Sequence, residues 1–327
     1  MPLLLAAVIV ADSLLSFGAF YDWAETSPSP ASFTAALSAS HPIASGWGAI
    51  AQEPGGIGRY FFIGATPIPI GQDFVDLTDA RRQRSVNANN VLMARDWAIA
   101  TDMGEDGSVT GTADLWQASS HVFDLLRVTT VLIDPVYAFG GPGPGSLLTG
   151  GTPVGHSGLL RYNYTPKLPE AFVVGASHRA GFSREMKAIH GDLAFDPAKV
   201  ALIDQPCPAC PAGPPGQAGS AGAVSWDAST AAVTVRAARP ALLVLSQAWS
   251  PGWEATVRGR TVPAIRVDGL VQGVPVPAGT TRVVLTYHAP GLRTGFGITV
   301  AAVLAFLAAG VAAWWKSRNP AGVPGGR

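Results

Sequence analysis

Twenty consecutive positions near the end of the chain, Phe296 to Trp315, carry no charged side chain. An α-helix rises 1.5 Å per residue, so a run of this length matches the roughly 30 Å of hydrocarbon in a bilayer. Lys316, Arg318 and Arg327 follow it, and an excess of Lys and Arg marks the cytoplasmic side of a span. Trp314 and Trp315 then fall at the inner headgroup layer. The sequence therefore predicts a membrane helix over 294–315, a cytoplasmic tail over 316–327, and an extracytoplasmic position for 22–293.

Immediately before that helix, short β-type segments alternate with Gly and Pro. Strands are expected at Glu254 to Val257, Val262 to Val267, Leu270 to Val274 and Thr281 to Tyr287. Pro251-Gly252, Gly259, Asp268-Gly269 and Pro277-Ala278-Gly279 separate them. Gly supplies the positive φ of tight turns and Pro stops a strand from running on, so the spacing reads as an antiparallel meander. Trp249, Trp253 and Tyr287 are the expected anchors of its core. With strands at Ala231 to Arg236 and Leu242 to Leu245, this module covers 223–293 and is β-sandwich-like. Gln205 to Gly222, rich in Pro and Gly, reads as a linker ahead of it.

The region from 22 to 204 mixes both element types. A strand is expected from Arg59 to Gly64 and a Ser-capped helix from Ser119 to Arg127, with Val122, Leu125 and Leu126 on one face. The β-branched run from Val128 to Ile133 reads as a buried strand. Strands near Leu159 to Tyr164, Ala171 to Val174 and Val200 to Ile203 and a helix from Arg179 to Ile189 complete an α/β domain. Leu3 to Tyr21 is a second apolar stretch, broken by Asp12. It lacks the basic start of a secretory signal and is read as a membrane helix with Asp12 turned to protein or the interface. The expected fold is thus α+β with transmembrane helices: a mixed α/β extracytoplasmic domain, then an antiparallel β-sandwich-like domain, flanked by a membrane helix at each end (1–21 and 294–315).

Composition narrows the chemistry. The 22 basic and 22 acidic residues cancel, so no net field gathers nucleic acid, and a mean hydropathy of +0.26 suits a membrane protein. Cys207 and Cys210 stand alone among prolines. Structural zinc wants four ligands, so a local disulfide in an oxidising compartment is the better reading. Ser119, Ser120, His121 and Asp124 share one short helix, where a cap and surface polarity explain them better than a triad. Gly155-His156-Ser157-Gly158 is one position short of a nucleophile elbow. The Gly-rich Phe139 to Gly151 lacks the Gly-Lys-Ser/Thr end of a phosphate loop. Asp73, Asp76 and Asp79, near Arg81, Arg82 and Arg84, read as a solvated cluster. No catalytic group, cofactor site or metal site is expected.

Ser250-Pro251-Gly252-Trp253-Glu254-Ala255, Gly259, Val276-Pro277-Ala278-Gly279 and Val284 to Pro290 resemble the C-terminal extracytoplasmic region of YfhO-like bacterial membrane proteins. Asn89-Asn90 with Asp96, Ser119 to Val128, and Leu168 to Val174 look similar and fall in the same order. Two positions depart: Arg258 stands where the family carries Asp, and Glu170 where it carries Arg. The resemblance implies a polytopic glycosyltransferase of the GT-C type, moving sugar from a polyprenyl-phosphate carrier to a cell-envelope polymer. This chain resembles its C-terminal portion, accessory and without the catalytic membrane bundle. Its implied partners are membrane lipid, polyprenyl-phosphate sugar, an envelope polymer and an upstream membrane bundle. The resemblance sets Arg59, Asn89, Asn90 and Asp96 on the domain surface nearest the membrane, as substrate-binding positions, with structural hydrogen bonding as the alternative role for them. Trp253 is added because an aromatic face can stack on a sugar, although its β spacing also suits core packing. The alternative is a free-standing, membrane-anchored envelope protein that binds carbohydrate or acts as a scaffold.

Overall fold

A computed structural model of the chain describes residues 59–63, 84–85, 95–101, 120–133, 148–154, 160–227, 229–288 and 290–318. The expected helix at Leu3 to Tyr21 with Asp12, the Asp73 to Asp79 cluster, and Asn89 and Asn90 lie outside the described residues. The chain begins with β1 (Arg59–Ile63), β2 (Arg84–Ser85), α1 (Arg95–Thr101), α2 (Val122–Leu125), β3 (Thr130–Ile133), β4 (Thr149–Pro153) and β5 (Leu160–Asn163). It continues through β6 (Ala171–Arg179), α3 (Phe182–Gly191), β7 (Val200–Ile203), β8 (Ala212–Gln217), β9 (Gly219–Ala221), β10 (Ser225–Trp226) and β11 (Thr230–Ala237). Last come β12 (Ala241–Ala248), β13 (Trp253–Val257), β14 (Arg260–Pro263), β15 (Ile265–Val267), β16 (Val271–Val276), β17 (Gly279–Tyr287) and α4 (Leu292–Arg318).

These strands build three sheets among the described residues. The first has the order β2-β1-β3-β5-β4, with β1 parallel to β2 and β3 and the rest antiparallel. A central sheet runs β15-β16-β12-β6-β7, with β8 also on β6. An outer sheet runs β10-β11-β17-β13-β14, with β9 also on β11.

The central sheet organises the packing because both its faces are covered. Side chains alternate along a strand. Ala171 and Val173 of β6 and Leu243 and Leu245 of β12 therefore face the outer sheet, meeting Val233, Val235, Val283 and Leu285. Phe172, Val174, Leu242 and Val244 face the opposite way, into a core shared with Phe123 and Leu125 of α2 and Met186 and Ile189 of α3. A strand buried on both faces reads as an unbroken apolar run, which is the origin of Ala241-Leu242-Leu243-Val244-Leu245. The outer sheet has one covered face, so β11 alternates: Val233 and Val235 are buried while Thr234 and Arg236 are exposed.

Several expectations change. The four C-terminal strands are no meander, because β14 lies in the outer sheet and β15 in the central one, with the crossing at Ala264. Moreover, β17 pairs with β11 and β13 rather than with β16. Alternation identifies strands but not their partners, and Pro277-Ala278 carries the chain across to the other sheet. Gln205 to Gly222 is no free linker, since it supplies β8 and β9. Two of its glycines serve close approach: a Cβ on Gly219 would lie 2.0 Å from the Arg236 carbonyl oxygen, and one on Gly213 would lie 2.8 Å from that of Gly175. Strands from both sides of this stretch join one sheet, so pairing does not break there. Of the helix expected from Ser119 to Arg127, the described residues show α2, whose N-cap residue His121 makes no side-chain cap bond; Ser119 lies outside the described residues. The helix expected from Arg179 begins at Phe182, because β6 runs on to Arg179.

Among the described residues one helix, α4, is long and apolar enough to cross a membrane. Its Thr294–Ala312 segment has a mean hydropathy of 2.2, with none of it buried.

Candidate functional site

Arg59, expected at a substrate surface, is instead committed to protein partners. Its Nη1 donates to the Leu126 carbonyl at 2.7 Å and to the Ser246 carbonyl. Its Nη2 lies 3.7 Å from Glu170 Oε1. Glu170 also faces Arg127 at 3.6 Å and accepts the Trp226 indole N–H at 2.9 Å. Its backbone carbonyl accepts from Ser246 N at 2.8 Å. Five segments, β1, the end of α2, the entry to β6, β10 and β12, thus meet on one Arg–Glu–Arg set. Fork-shaped guanidinium donors suit such multi-partner joints. Asp96 lies in α1.

His121 and Asp124 do come close, but not as a catalytic pair. His121 Nε2 contacts the Phe195 carbonyl at 3.0 Å, while Nδ1 stays 3.9 Å from Asp124 Oδ2. Asp124 accepts from Tyr164 Oη at 2.8 Å and from Lys167 N at 2.7 Å. Burial first, then the Asp124 charge, pushes the Tyr164 phenol upward, so it stays protonated and donates. Ser120 Oγ is 3.5 Å from Val122 N. The set ties α2 to its surroundings.

Trp253 pairs with Tyr287 across β13 and β17, ring centroids 5.4 Å apart at 49°. Both are half-buried at the rim of the core, not at its centre. The core is built from Val, Leu and Ala, the side chains that fit between two sheets, whereas these rings close the end nearest α4. Trp249 is likewise half-buried and lies 5.6 Å beneath the Arg266 guanidinium.

Among the described residues, two of the surface hollows bear on the site. One, about 610 Å³, lies between α3 and β7, where His178, Arg184 and Lys187 stand beside the Lys199–Asp196 pair. The other, about 800 Å³, opens between the edges of the two sheets of the sandwich, with prolines on its walls and Arg258 and Arg260 at its mouth. Sequence reasoning did not assemble this second hollow, because its residues come from four separated segments. One signal was legible: Arg258 occupies a two-residue turn before Gly259, where Asn, Asp or Gly is expected. Cys207, in its wall, is disulfide-bonded to Cys210.

The class defined by these features is a two-sheet β sandwich, backed by an α/β layer, whose last strand leads into a single apolar helix. Residues 220–299 match the family described as "Bacterial membrane protein YfhO", and this part of the chain is YfhO-like. Two cryo-EM structures of the arabinofuranosyltransferase AftD from Mycobacteria, one of them a mutant, are similar at 27% and 28% identity. Each match covers 29% of this chain and 7% of that one, and a TM-score of 0.20 is too low to carry a structural argument. Comparison with curated proteins gave no match.

Proposed function

We infer that the chain is the membrane-anchored, extracytoplasmic part of a glycosyltransferase-related envelope protein. It is accessory: it holds an acceptor polymer near the membrane, where a transferase drawing on polyprenyl-phosphate sugar acts. The observation that carries this reading is the joint between sandwich and helix. Strand β17 is paired on both sides, to β11 and β13. His288 N then donates to the Gly252 carbonyl at 2.8 Å, and one turn at Gly291 leads into α4. So short a connection fixes the sandwich against whatever holds the helix. The Cys207–Cys210 disulfide supports an oxidising, extracytoplasmic setting, and the basic residues after Trp315 support a cytoplasmic C-terminus.

A membrane-impermeant protease tests this. Added to intact spheroplasts, it should digest the sandwich and leave a small fragment containing α4. Digestion in inside-out vesicles alone would overturn the reading.

A further inference from the structure

The 800 Å³ hollow reaches the end of the sandwich remote from α4. Strand register establishes this. Tyr287, which precedes the helix, pairs with Trp253, whereas Gly279, at the other end of β17, pairs with Ala237. Pro240, Pro277 and Arg258 line the hollow at the Gly279 end, and the lining runs along β14 to Pro263, level with Thr286. The nine residues of β17 place the Gly279 end about 30 Å from the helix. A ligand there comes from the aqueous side rather than from the bilayer.

The lining has a definite chemistry. Pro206, Pro208, Pro240, Pro263, Pro275 and Pro277 give rigid apolar walls, and among the described residues Arg258 and Arg260 are the charged ones lining it, with no Asp or Glu. Val257 pairs with Arg260, leaving Arg258-Gly259 as a two-residue hairpin loop with φ of 50° and 77°. Such a loop favours Asn, Asp or Gly at its first position, so Arg there is held at a cost in backbone free energy. Its Nη2 donates to the Ala278 carbonyl at 2.5 Å and would sit 3.1 Å from a Cβ on Gly279. That contact holds the guanidinium across the mouth of the hollow. The other Arg258 donors, and all those of Arg260, have no partner among the described residues.

We propose that this groove binds a segment of anionic polysaccharide, with Arg258 and Arg260 taking its carboxylate or phosphate groups and the prolines taking the apolar faces of its sugar rings. Charge complementarity selects the anion, since guanidinium forks pair with planar or tetrahedral oxyanions. An extended peptide is disfavoured because the adjacent edge strand, β14, carries Pro263 and withholds an N–H that strand addition needs. The proposal deepens the reading above by naming the class of polymer held, and it rests on that reading for access from outside.

Binding is measured on the purified full chain in detergent micelles, with four probes at low and high salt. These are oligogalacturonate, phosphorylated dextran, neutral dextran and polyglutamate. Expected is saturable, salt-sensitive binding of at least one anionic glycan, about tenfold or more tighter than neutral dextran. Which of the two binds better tells carboxylate from phosphate. Arg258→Asn, Arg260→Gln and the pair together should weaken it, the pair about tenfold or more. Arg258→Asn should meanwhile keep or raise the unfolding midpoint, because Asn suits the turn; a purely structural Arg258 would lower it and leave binding alone. Failure of both anionic glycans to bind, equal binding by the double variant, or polyglutamate binding as tightly as the glycans overturns the assignment. Micelles have no sidedness, so a failure here leaves the topology reading standing, and a failed protease experiment leaves this result standing.

Discussion

Asp268 and Leu202 are joined twice: the Leu202 N–H donates to Asp268 Oδ1 at 2.8 Å, and the Asp268 N–H donates to the Leu202 carbonyl at 2.8 Å. Leu202 lies in β7 and Asp268 in the turn between β15 and β16, so the bonds link opposite edges of the central sheet. Arg266 and Asp204 make a second link beside them. The sheet is thereby curled over its inner core.

This clasp leaves acids in a dry place. Asp268 Oδ2 and both carboxylate oxygens of Glu185 are buried with no hydrogen-bond partner. Burial pushes Asp268 up to about 8, against the lowering effect of the Leu202 N–H. Burial, then the charges of Asp204 and Asp268, pushes Glu185 up to about 8. The folded state therefore keeps protons that the unfolded chain releases near pH 4. Their contribution is fully present below that pH and is lost as pH rises toward about 8, so stability falls across this window. Urea midpoints at pH 5, 6, 7 and 8 should decline in the native protein and flatten in the Glu185→Gln, Asp268→Asn double variant. Equal slopes for the two would refute the assignment. Asn retains both the acceptor for Leu202 and tolerance of the φ of 53°.

Glu170 is the second polar joint. Its side chain and that of Arg59 are 15% and 13% exposed, so removing the carboxylate takes the opposite charge from a largely buried guanidinium that keeps its carbonyl acceptors. Glu170→Ala should cost about 2–4 kcal/mol, below the full penalty of a sealed pair because Arg127 is open to water. Glu170→Gln retains an acceptor for Trp226 and should cost about half as much. Chemical denaturation of both variants decides this; losses under 0.5 kcal/mol would mean that the joint contributes little.

Much of this was legible in residue order. Val200 to Ile203 reads as a strand from its apolar run and forms one with the same bounds. The remote pairings were not legible. Nothing local in Ala171 to Val174 says that it joins Leu242 to Leu245, so a boundary drawn at Gln205 divides a sheet. Proline and glycine misled for a related reason. They mark turns in isolation, but Gly213 and Gly219 are places where two backbones nearly touch. Arg59 was named as a substrate-binding candidate; the carbonyls it bonds lie 67 and 187 residues away, beyond any local pattern.

The two faces of β12 offer a paired test. Leu242 and Leu243 are adjacent, fully buried, and packed into different cores. Each Leu→Ala change should cost about 2–5 kcal/mol. A sheet with one wet face would show a large loss for one and almost none for the other. Urea unfolding of the two variants separates the cases.

The Cys207–Cys210 bridge closes a short loop, with a sequence separation of three. Loop-closure entropy then limits its worth to about 2 kcal/mol. Dithiothreitol should lower the urea midpoint of the native protein to that of a Cys207→Ser, Cys210→Ser variant and leave the variant unmoved. A native midpoint indifferent to reductant would show the bridge to be thermodynamically idle.

Gly252 sits where the base of the sandwich meets the strand leading into α4. Its φ is 103°, a conformation that L side chains rarely adopt, and a Cβ there would lie 2.2 Å from the His288 carbonyl oxygen. The obstacle is backbone, not the movable end of a side chain, so neither partner can yield without breaking the 2.8 Å bond from His288 N to the Gly252 carbonyl. Gly252→Ala should cost about 2 kcal/mol or more. Hydrogen exchange at His288 and Tyr287 should also speed up, while the remote Arg258-Gly259 hairpin stays protected. Faster exchange across the whole outer sheet would instead make the glycine a keystone of the sandwich rather than of its joint with the helix. No change in exchange at His288 would show that the joint bends freely and that β17 does not transmit the helix's position.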